Sequence, residues 1–119
     1  MQLSLSSHLL VYGRCEPEEL VTARAAGITQ LELWLAELHL PWRQLDACEA
    51  LRARLADLGL EAGSGHLPFY PSVPELLEQG AKWSLIDPDP QRRAEALAGA
   101  RLGMQAAAAL GARHAVLHL

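Results

Sequence analysis

The sequence predicts an α/β protein in which a parallel sheet is built from the order β-α-β-α-β-α-β. Two observations lead to this prediction. First, a segment with helical spacing ends at a glycine and is followed by a short apolar strand. Second, this unit occurs three times, in "ARAAGITQLELWL", "RLADLGLEAGSGHL" and "AAALGARHAVLHL". Strands that alternate with helices pair in parallel through right-handed crossovers, so one sheet is expected.

The helices are predicted from their start and stop signals. Pro17 lies among glutamates that favour the positive end of a helix dipole, which indicates a helix near 17–26. Leucines and a cysteine at three- and four-residue spacing indicate a second helix near 42–58. Asp89 and Pro90 are suited to the N-cap and first position of a third helix that ends near Leu110. Glycines suited to the left-handed C′ position follow the three helices, namely Gly27, Gly59 and Gly111.

Four strands follow from the apolar alternation. In the second strand the leucines point one way, and Glu32 and Trp34 point the other. The polar face of the sheet is expected to carry the chemistry at the carboxyl ends of the strands, where sites of parallel α/β proteins lie. No strand is followed by a complete dinucleotide- or phosphate-binding glycine motif. The strands are predicted at 3–7, 30–35, 60–65 and 114–119, and the strand-end candidates are Ser6, His8, Glu32, Trp34, His66 and His118.

A long connection, 69–90, follows the third strand. Loops in this position cover the site in many α/β proteins. Its aromatic residues Phe69, Tyr70 and Trp83 are expected either to close over a ligand or to anchor the loop.

Composition and charge limit the class of protein. The chain has 119 residues, of which 50% are hydrophobic and 20% charged, which is typical of a globular domain. A formal net charge of −4 argues against nucleic acid and anionic membranes as partners. Apolar stretches fall short of the roughly 20 residues of a membrane span, and the first residues do not have the pattern of a signal peptide. We therefore expect a cytoplasmic protein in which Cys15 and Cys48 are free thiols.

Four motifs in order resemble the first half of the xylose-isomerase-like TIM barrels. They are "LELWL", "GSGHLPF", "DPDPQRRAEAL" and "ALGARHAVLHL", and together they extend over essentially the whole chain. This superfamily contains sugar-phosphate isomerases and epimerases and the related apurinic endonucleases. The resemblance implies an activity that moves a proton next to a carbonyl through an enediolate, with a sugar or sugar phosphate as substrate.

The resemblance also implies a site at the barrel mouth. By position, His66 and His118 match two histidines that ligate zinc in the endonuclease branch, and Glu32 matches an acidic residue that lines the pocket. A divalent ion (Zn, Mn or Mg) is the implied cofactor. The alternative is that the histidines are hydrogen-bonded pocket residues and that Trp34 serves packing alone. The expected pocket residues are Ser6, His8, Glu32, Trp34 and Phe69.

A complete barrel has eight strands and about 250 residues, whereas this sequence predicts four strands. We expect 1–119 to form a single N-terminal half-barrel domain that stops before the fifth strand. Its proton-transfer groups would then be missing, and the fragment would be inactive. Exposed strand edges predict a homo-oligomer, so a self-associating half-barrel without catalysis is an alternative. A metal-dependent phosphodiesterase of the apurinic endonuclease type is another, against which the acidic charge argues.

Overall fold

A computed structural model describes residues 3–119 and confirms the predicted α/β class. Its four strands form one sheet in the order β1-β2-β3-β4, and every neighbouring pair is parallel, as in half of a TIM barrel. The strands are β1 (Ser4–Ser6), β2 (Gln30–Trp34), β3 (Glu61–His66) and β4 (His114–Val116). The helices are α1 (Val21–Ala25), α2 (Leu45–Asp57), α3 (Val73–Gln79) and α4 (Pro90–Ala109), with short 3₁₀ helices at Ser7–Leu10 and Pro17–Leu20.

The predicted helices occur, with one shifted boundary. The helix predicted at 17–26 consists of the second 3₁₀ helix and α1, which follow one another directly. In α4, Asp89 is the N-cap, and its Oδ1 accepts a hydrogen bond from the Gln91 N–H at 2.8 Å. The α2 helix begins three residues later than predicted, because Pro41–Gln44 forms a turn in which the Gln44 N–H donates to Pro41 O. The side chain of Trp42 in this turn fills the core, where it is 1% exposed.

The 69–90 connection contains α3, a helix that the sequence prediction did not include. Ser72 is its N-cap, since Ser72 Oγ accepts from the Glu75 N–H at 3.3 Å and donates to Glu75 Oε2 at 2.6 Å. Pro74 lies in the first turn, and Gly80 ends the helix with a φ of 64°. These are the signals of a capping box and a glycine C-cap, and they occur in "SVPELLEQG".

The core lies between the sheet and the helices. Leu31 and Leu33 of β2 are fully buried, as the alternation predicted, and Ala107 of α4 packs on β3. The approach is close because β3 has Gly65 at the contact: a Cβ atom there would lie 2.9 Å from the Ala107 Cβ. The small residues of "GMQAAAA" therefore let α4 lie directly on the sheet.

Strands β1 and β4 are the two edges of the sheet in the described part of the chain. All three residues of β4 are exposed. Past its end, Leu117 and Leu119 are also exposed, at 44% and 79%. The predicted strand at 114–119 therefore ends earlier, at Val116.

Between residues 3 and 119, none of the helices combines the length and hydropathy needed to cross a bilayer.

Candidate functional site

The register of the sheet brings the predicted strand-end residues together. Glu32 of β2 pairs with Ser6 of β1 and with Ser64 of β3, and Trp34 pairs with His66. The pairing of β2 with β3 shifts by one residue between Leu31 and Glu32. Without that shift Trp34 would lie opposite Gly65, and His66 would point to the other face, because the strand period is two. The irregularity thus places the two aromatic rings on the same face.

We call the resulting group the strand-end cluster. All its members lie at or just past the carboxyl ends of the parallel strands, where sites are found in such sheets. It consists of Ser6, His8, Glu32, Trp34, His66, Phe69 and His118, which are the seven residues that the sequence singled out as pocket residues or metal ligands.

Glu32 is held by two donors that meet on one of its oxygens. The Ser6 hydroxyl donates to Glu32 Oε1 at 2.8 Å. The Trp34 indole N–H donates to the same oxygen at 3.2 Å. These two hydrogen bonds fix the carboxylate at the boundary between β1 and β2 and leave Oε2 outside both of them. The arrangement is suited to presenting a carboxylate oxygen to a hydroxyl group of a ligand.

His66 and His118 face one another through their Nε2 atoms, which are 2.9 Å apart. His66 Nδ1 lies 3.2 Å from Leu67 O, and because a carbonyl only accepts, Nδ1 carries the proton. In the neutral ring, His66 Nε2 therefore presents a lone pair, and the His118 Nε2–H donates to it. Burial first, and then the charge of a protonated His118, lower the pKa of His66 below its ordinary value. His66 therefore favours the neutral imidazole, the form that binds metals.

The aromatic rings of the cluster are packed against each other. Trp34 is stacked on His66, with centroids 3.8 Å apart and planes 13° apart, and His8 lies 4.1 Å from the Trp34 ring centre. Phe69 meets Trp34 edge-on at 6.2 Å and lies 5.1 Å from the His118 ring. Trp34 is thus in contact with the rings of both His8 and His66.

Two residues below the cluster were not singled out as functional by the sequence. Ser7 Oγ accepts from the Trp34 backbone N–H at 3.0 Å, and it lies 2.9 Å from His39 Nε2. His39 Nδ1 lies 3.0 Å from Gly13 O, so that nitrogen is the donor and Nε2 accepts from the Ser7 hydroxyl. The side chain of His39 is buried and 2% exposed. Its partners are 26 and 32 residues away along the chain, which no local pattern indicates.

The donor set fits part of a metal site. In a tetrahedral zinc site with Zn–N bonds of about 2.0–2.1 Å, two nitrogen ligands are about 3.3 Å apart, close to the separation seen here. The His66 Nδ1–H bond to a backbone carbonyl is the second contact that ligand histidines commonly make. Between residues 3 and 119, however, no three His, Cys, Asp or Glu side chains come close enough to share an ion. Neither Glu32 nor His8 therefore completes a ligand set with the histidine pair.

A cleft of about 450 Å³ lies elsewhere, between the segment after β1 and the segment after β2. Cys15 is among its lining residues. Burial is the main cause that raises the pKa of this thiol to about 11, and the negative charges of Glu16 and Glu19 raise it further. The thiol is therefore protonated and not nucleophilic at neutral pH. Cys15 and Cys48 are both buried and not in a disulfide, as predicted. The strand-end cluster, where a carboxylate and a pair of imidazoles lie together, is the better candidate site.

The family model described as "Xylose isomerase-like TIM barrel" matches residues 20–119. The chain belongs to this family. A search of curated protein sequences gives no significant match. The region matched by the xylose isomerase-like TIM barrel model contains Glu32, Trp34, His66, Phe69 and His118, whereas Ser6 and His8 lie before it. The resemblance seen in the four sequence motifs is thereby confirmed at the level of the family.

Proposed function

We propose that the chain supplies the first half of the pocket of a metal-dependent sugar or sugar-phosphate isomerase or epimerase. The observation that carries the proposal is the pair of Nε2 atoms of His66 and His118, 2.9 Å apart at the strand ends of a xylose isomerase-like half-barrel. In this proposal the two imidazoles are two ligands of a divalent ion (Zn, Mn or Mg). The reaction class is proton transfer at a carbon next to a carbonyl, through an enediolate.

The other residues of the cluster would form the wall of the pocket. Glu32 presents a carboxylate oxygen to a sugar hydroxyl, while Ser6 and Trp34 hold its other oxygen in place. Phe69, which begins the 69–90 connection, limits the pocket on the β3 side, and His8 limits it on the β1 side. When bound, a divalent ion would supply Lewis-acid polarisation of the carbonyl.

The proton-transfer groups are not assigned to this chain. In the described residues the histidine pair has no third ligand, so the remaining ligands and the acid and base would come from further strands. We accordingly propose that the 119 residues alone are without isomerase activity. We also propose that the protein works in the cytoplasm, in keeping with its two free thiols.

Metal binding by the 119-residue chain tests the proposal. Cobalt(II) and zinc(II) are titrated into wild type, His66→Ala, His118→Ala and the control His114→Ala, whose side chain is exposed on β4. We expect weak binding by the wild type and the control, and a loss of about tenfold or more in each site variant, because half of the ligands are removed. Binding that is the same in all four proteins, or that is not detectable in the wild type, contradicts the proposal.

A phosphodiesterase of the apurinic endonuclease type would use the same two histidines, but the charge argues against it. A protein that binds a phosphate backbone gains most of its affinity from lysine and arginine. This chain has 10 of these residues against 14 acidic ones. A sugar or sugar phosphate is the substrate class that this balance favours.

Self-association without catalysis is a second candidate, and the exposed β4 edge is the observation that favours it. In the described residues β1 pairs only with β2, and β4 pairs only with β3. Both edges run parallel, so β4 of one copy can pair with β1 of a second, and the same contact can repeat about a two-fold axis. Two copies would then contribute eight strands, the number in a closed barrel.

Light scattering with size exclusion tests this second candidate. We expect a dimer mass at micromolar concentration that falls on dilution, because edge pairing is the only contact invoked. A monodisperse species of 12.9 kDa at every concentration contradicts it.

A further inference from the structure

We propose that Trp34 is a positioning residue that holds Glu32 and His66 in fixed places relative to each other. The inference rests on the proposed function, because it concerns the same site, and it assigns to Trp34 a role other than contact with a ligand. Trp34 is the one member of the strand-end cluster whose side chain both donates to Glu32 and stacks on His66.

The stack restricts the His66 imidazole. The two rings are nearly parallel, at 13°, with centroids 3.8 Å apart. A ring held flat against an indole is free to rotate only if the contact is lost. The Nδ1–H of His66 bonds to Leu67 O, and the indole face keeps the ring in the plane in which that bond and the Nε2 contact with His118 both form.

The indole N–H acts on Glu32 at the same time. It donates to Oε1, the oxygen that also accepts from Ser6. Glu32 and Trp34 are two residues apart on one strand, so their side chains lie on the same face. A single rigid side chain with two χ angles therefore sets both a carboxylate and an imidazole at low entropic cost.

The backbone of Trp34 is held by buried polar residues on the side away from the strand-end cluster. Its backbone N–H donates to Ser7 Oγ at 3.0 Å, and the Ser7 hydroxyl donates to His39, which is fixed in turn by Gly13 O. This path gives the buried His39 and Ser7 a place in the site, although neither touches the histidine pair. The support therefore runs from the buried Ser7 and His39, through the Trp34 backbone, to the carboxylate of Glu32 and the buried imidazole of His66.

Histidine NMR on the 119-residue chain tests the inference without a metal. Long-range ¹H–¹⁵N spectra report which ring nitrogen of His66 carries the proton, and ¹³C spectra report the Glu32 carboxyl. We compare wild type with Trp34→Phe, which keeps an aromatic face but lacks the N–H, and with Trp34→Leu, which lacks both. Trp83→Leu is the control, because the Trp83 indole packs on α4 at Gly99 and its hydrogen bond to Phe69 O comes from the backbone N–H, which the substitution keeps.

We expect the wild type, Trp34→Phe and Trp83→Leu to show His66 as one Nδ1–H tautomer, and Trp34→Leu to show an averaged ring. The Glu32 carboxyl signal should shift in both Trp34 variants and not in the control. The inference is overturned if Trp34→Leu keeps the wild-type His66 tautomer, if Trp34→Phe loses it as fully as Trp34→Leu does, or if the wild type has mixed tautomers. Amide spectra that retain their dispersion verify that each variant is folded.

A cobalt titration of the same proteins separates this inference from the proposed function. If the wild type binds cobalt, we expect about tenfold weaker binding by Trp34→Leu and near wild-type binding by Trp34→Phe. Equal binding by wild type and Trp34→Leu overturns the positioning role. If the wild type binds no cobalt, the proposed metal site fails, and the tautomer of His66 still decides the role of Trp34.

Discussion

The burial of His39 makes the fold sensitive to acid. Desolvation, ahead of its other influences, lowers the pKa of this imidazole below its ordinary value, and the neutral ring is the form that its hydrogen bonds require. In the unfolded chain a histidine has a pKa of about 6.5. Since the unfolded state binds the proton more readily, the stability contributed by His39 is fully present above about pH 6.5 and is lost as the pH falls toward the folded pKa.

His39→Gln is expected to flatten this pH dependence. Glutamine can replace only one of the two ring contacts, so we expect the variant to be less stable at pH 7 by about 1–3 kcal/mol. Between pH 7 and 5 its free energy of unfolding should fall less than that of the wild type. His66, whose pKa is lowered as well, contributes to the slope that remains. Urea unfolding at several pH values measures both quantities.

His114→Gln is the control for that experiment, because it removes an exposed histidine. It should retain the wild-type slope. A His39→Gln variant whose slope equals that of the wild type would show that His39 is not the source of the acid sensitivity.

The residues of the strand-end cluster were predictable because the strand period and the parallel order place them on one face and at one edge. The alternation within β2 places Glu32 with Trp34, but the common face of Trp34 and His66 also depends on the register shift between β2 and β3. The support by Ser7 and His39 was not predictable, since these partners are brought together only by the tertiary fold. The register shift near Glu32 left only a weak signal in the sequence, a glycine at position 63 inside a strand.

At the scale of the elements, α4 is held on β3 by small residues. Gly65→Ala would place a Cβ atom 2.9 Å from the Ala107 Cβ, so the helix must move or the strand must bend. We expect a loss of about 1–3 kcal/mol in the free energy of unfolding. Chemical denaturation of the variant measures this loss.

A double-mutant cycle isolates the contact. Ala107→Gly removes the opposing methyl group and alone costs about 1 kcal/mol for a glycine in a helix. The double variant Gly65→Ala with Ala107→Gly should be more stable than the sum of the two losses predicts. Gly13→Ala is the matched control, because its Cβ would meet its nearest neighbour, Leu10 O, at an ordinary 3.8 Å. Strict additivity in the cycle would contradict the proposed contact.

The connection after β3 is anchored to α4 by Trp83. Its indole lies where a side chain at position 99 would be, so a Cβ at Gly99 would overlap the ring. The backbone N–H of Trp83 also donates to Phe69 O at 2.8 Å. This bond fixes the start of the connection next to the strand-end cluster. Of the two roles that the sequence left open for Trp83, the structure shows the anchor.

Gly99→Ala is therefore expected to release this anchor. The Trp83 amide should exchange with solvent at least about tenfold faster, corresponding to about 1.4 kcal/mol of lost local stability, and limited proteolysis should cut within 80–88 sooner. Hydrogen exchange by NMR measures the first effect. Amides in α2, which is remote from the contact, serve as the internal reference, and equal exchange at Trp83 in both proteins would disprove the anchoring role.

The α3 helix was not predicted because it is too short to show an apolar repeat and its sequence signal is confined to its ends. Its seven residues include none that is buried, so there is no apolar face from which a helix would be predicted. Its start is stabilised by Ser72, whose hydroxyl accepts from the Glu75 N–H and donates to the Glu75 carboxylate, and the sequence pattern "SVPE" is the signal for this N-cap. By contrast, α2 is indicated by the spacing of its buried residues, and α4 by its Asp89 N-cap and Pro90.

At the scale of the whole molecule, the strand-end cluster lies beside an unpaired edge of the sheet, the β4 edge, in the described part of the chain. The four-stranded order places His66 on an inner strand and His118 just past an edge strand. A histidine pair at the end of an edge has neighbours on one side only. Whatever pairs with β4 would therefore lie directly beside the proposed ligands, so edge pairing and completion of the site are expected to be coupled.

Ala115→Lys tests the role of the β4 edge. Ala115 is exposed and lies on the face opposite the row of Trp34, His66 and Val116, so the substitution leaves the strand-end cluster intact. A lysine on an edge strand hinders pairing with another strand. We expect the dissociation constant of the dimer to rise about tenfold or more, corresponding to about 1.4 kcal/mol.

Ala53→Lys, at an exposed position of α2, makes the same change in charge and size away from the edges. Sedimentation equilibrium of the three proteins at matched ionic strength measures the constants. The control should associate as the wild type does, because a general effect of added charge would act in both variants. If Ala115→Lys also associates as the wild type does, β4 is not the surface through which copies of the chain meet.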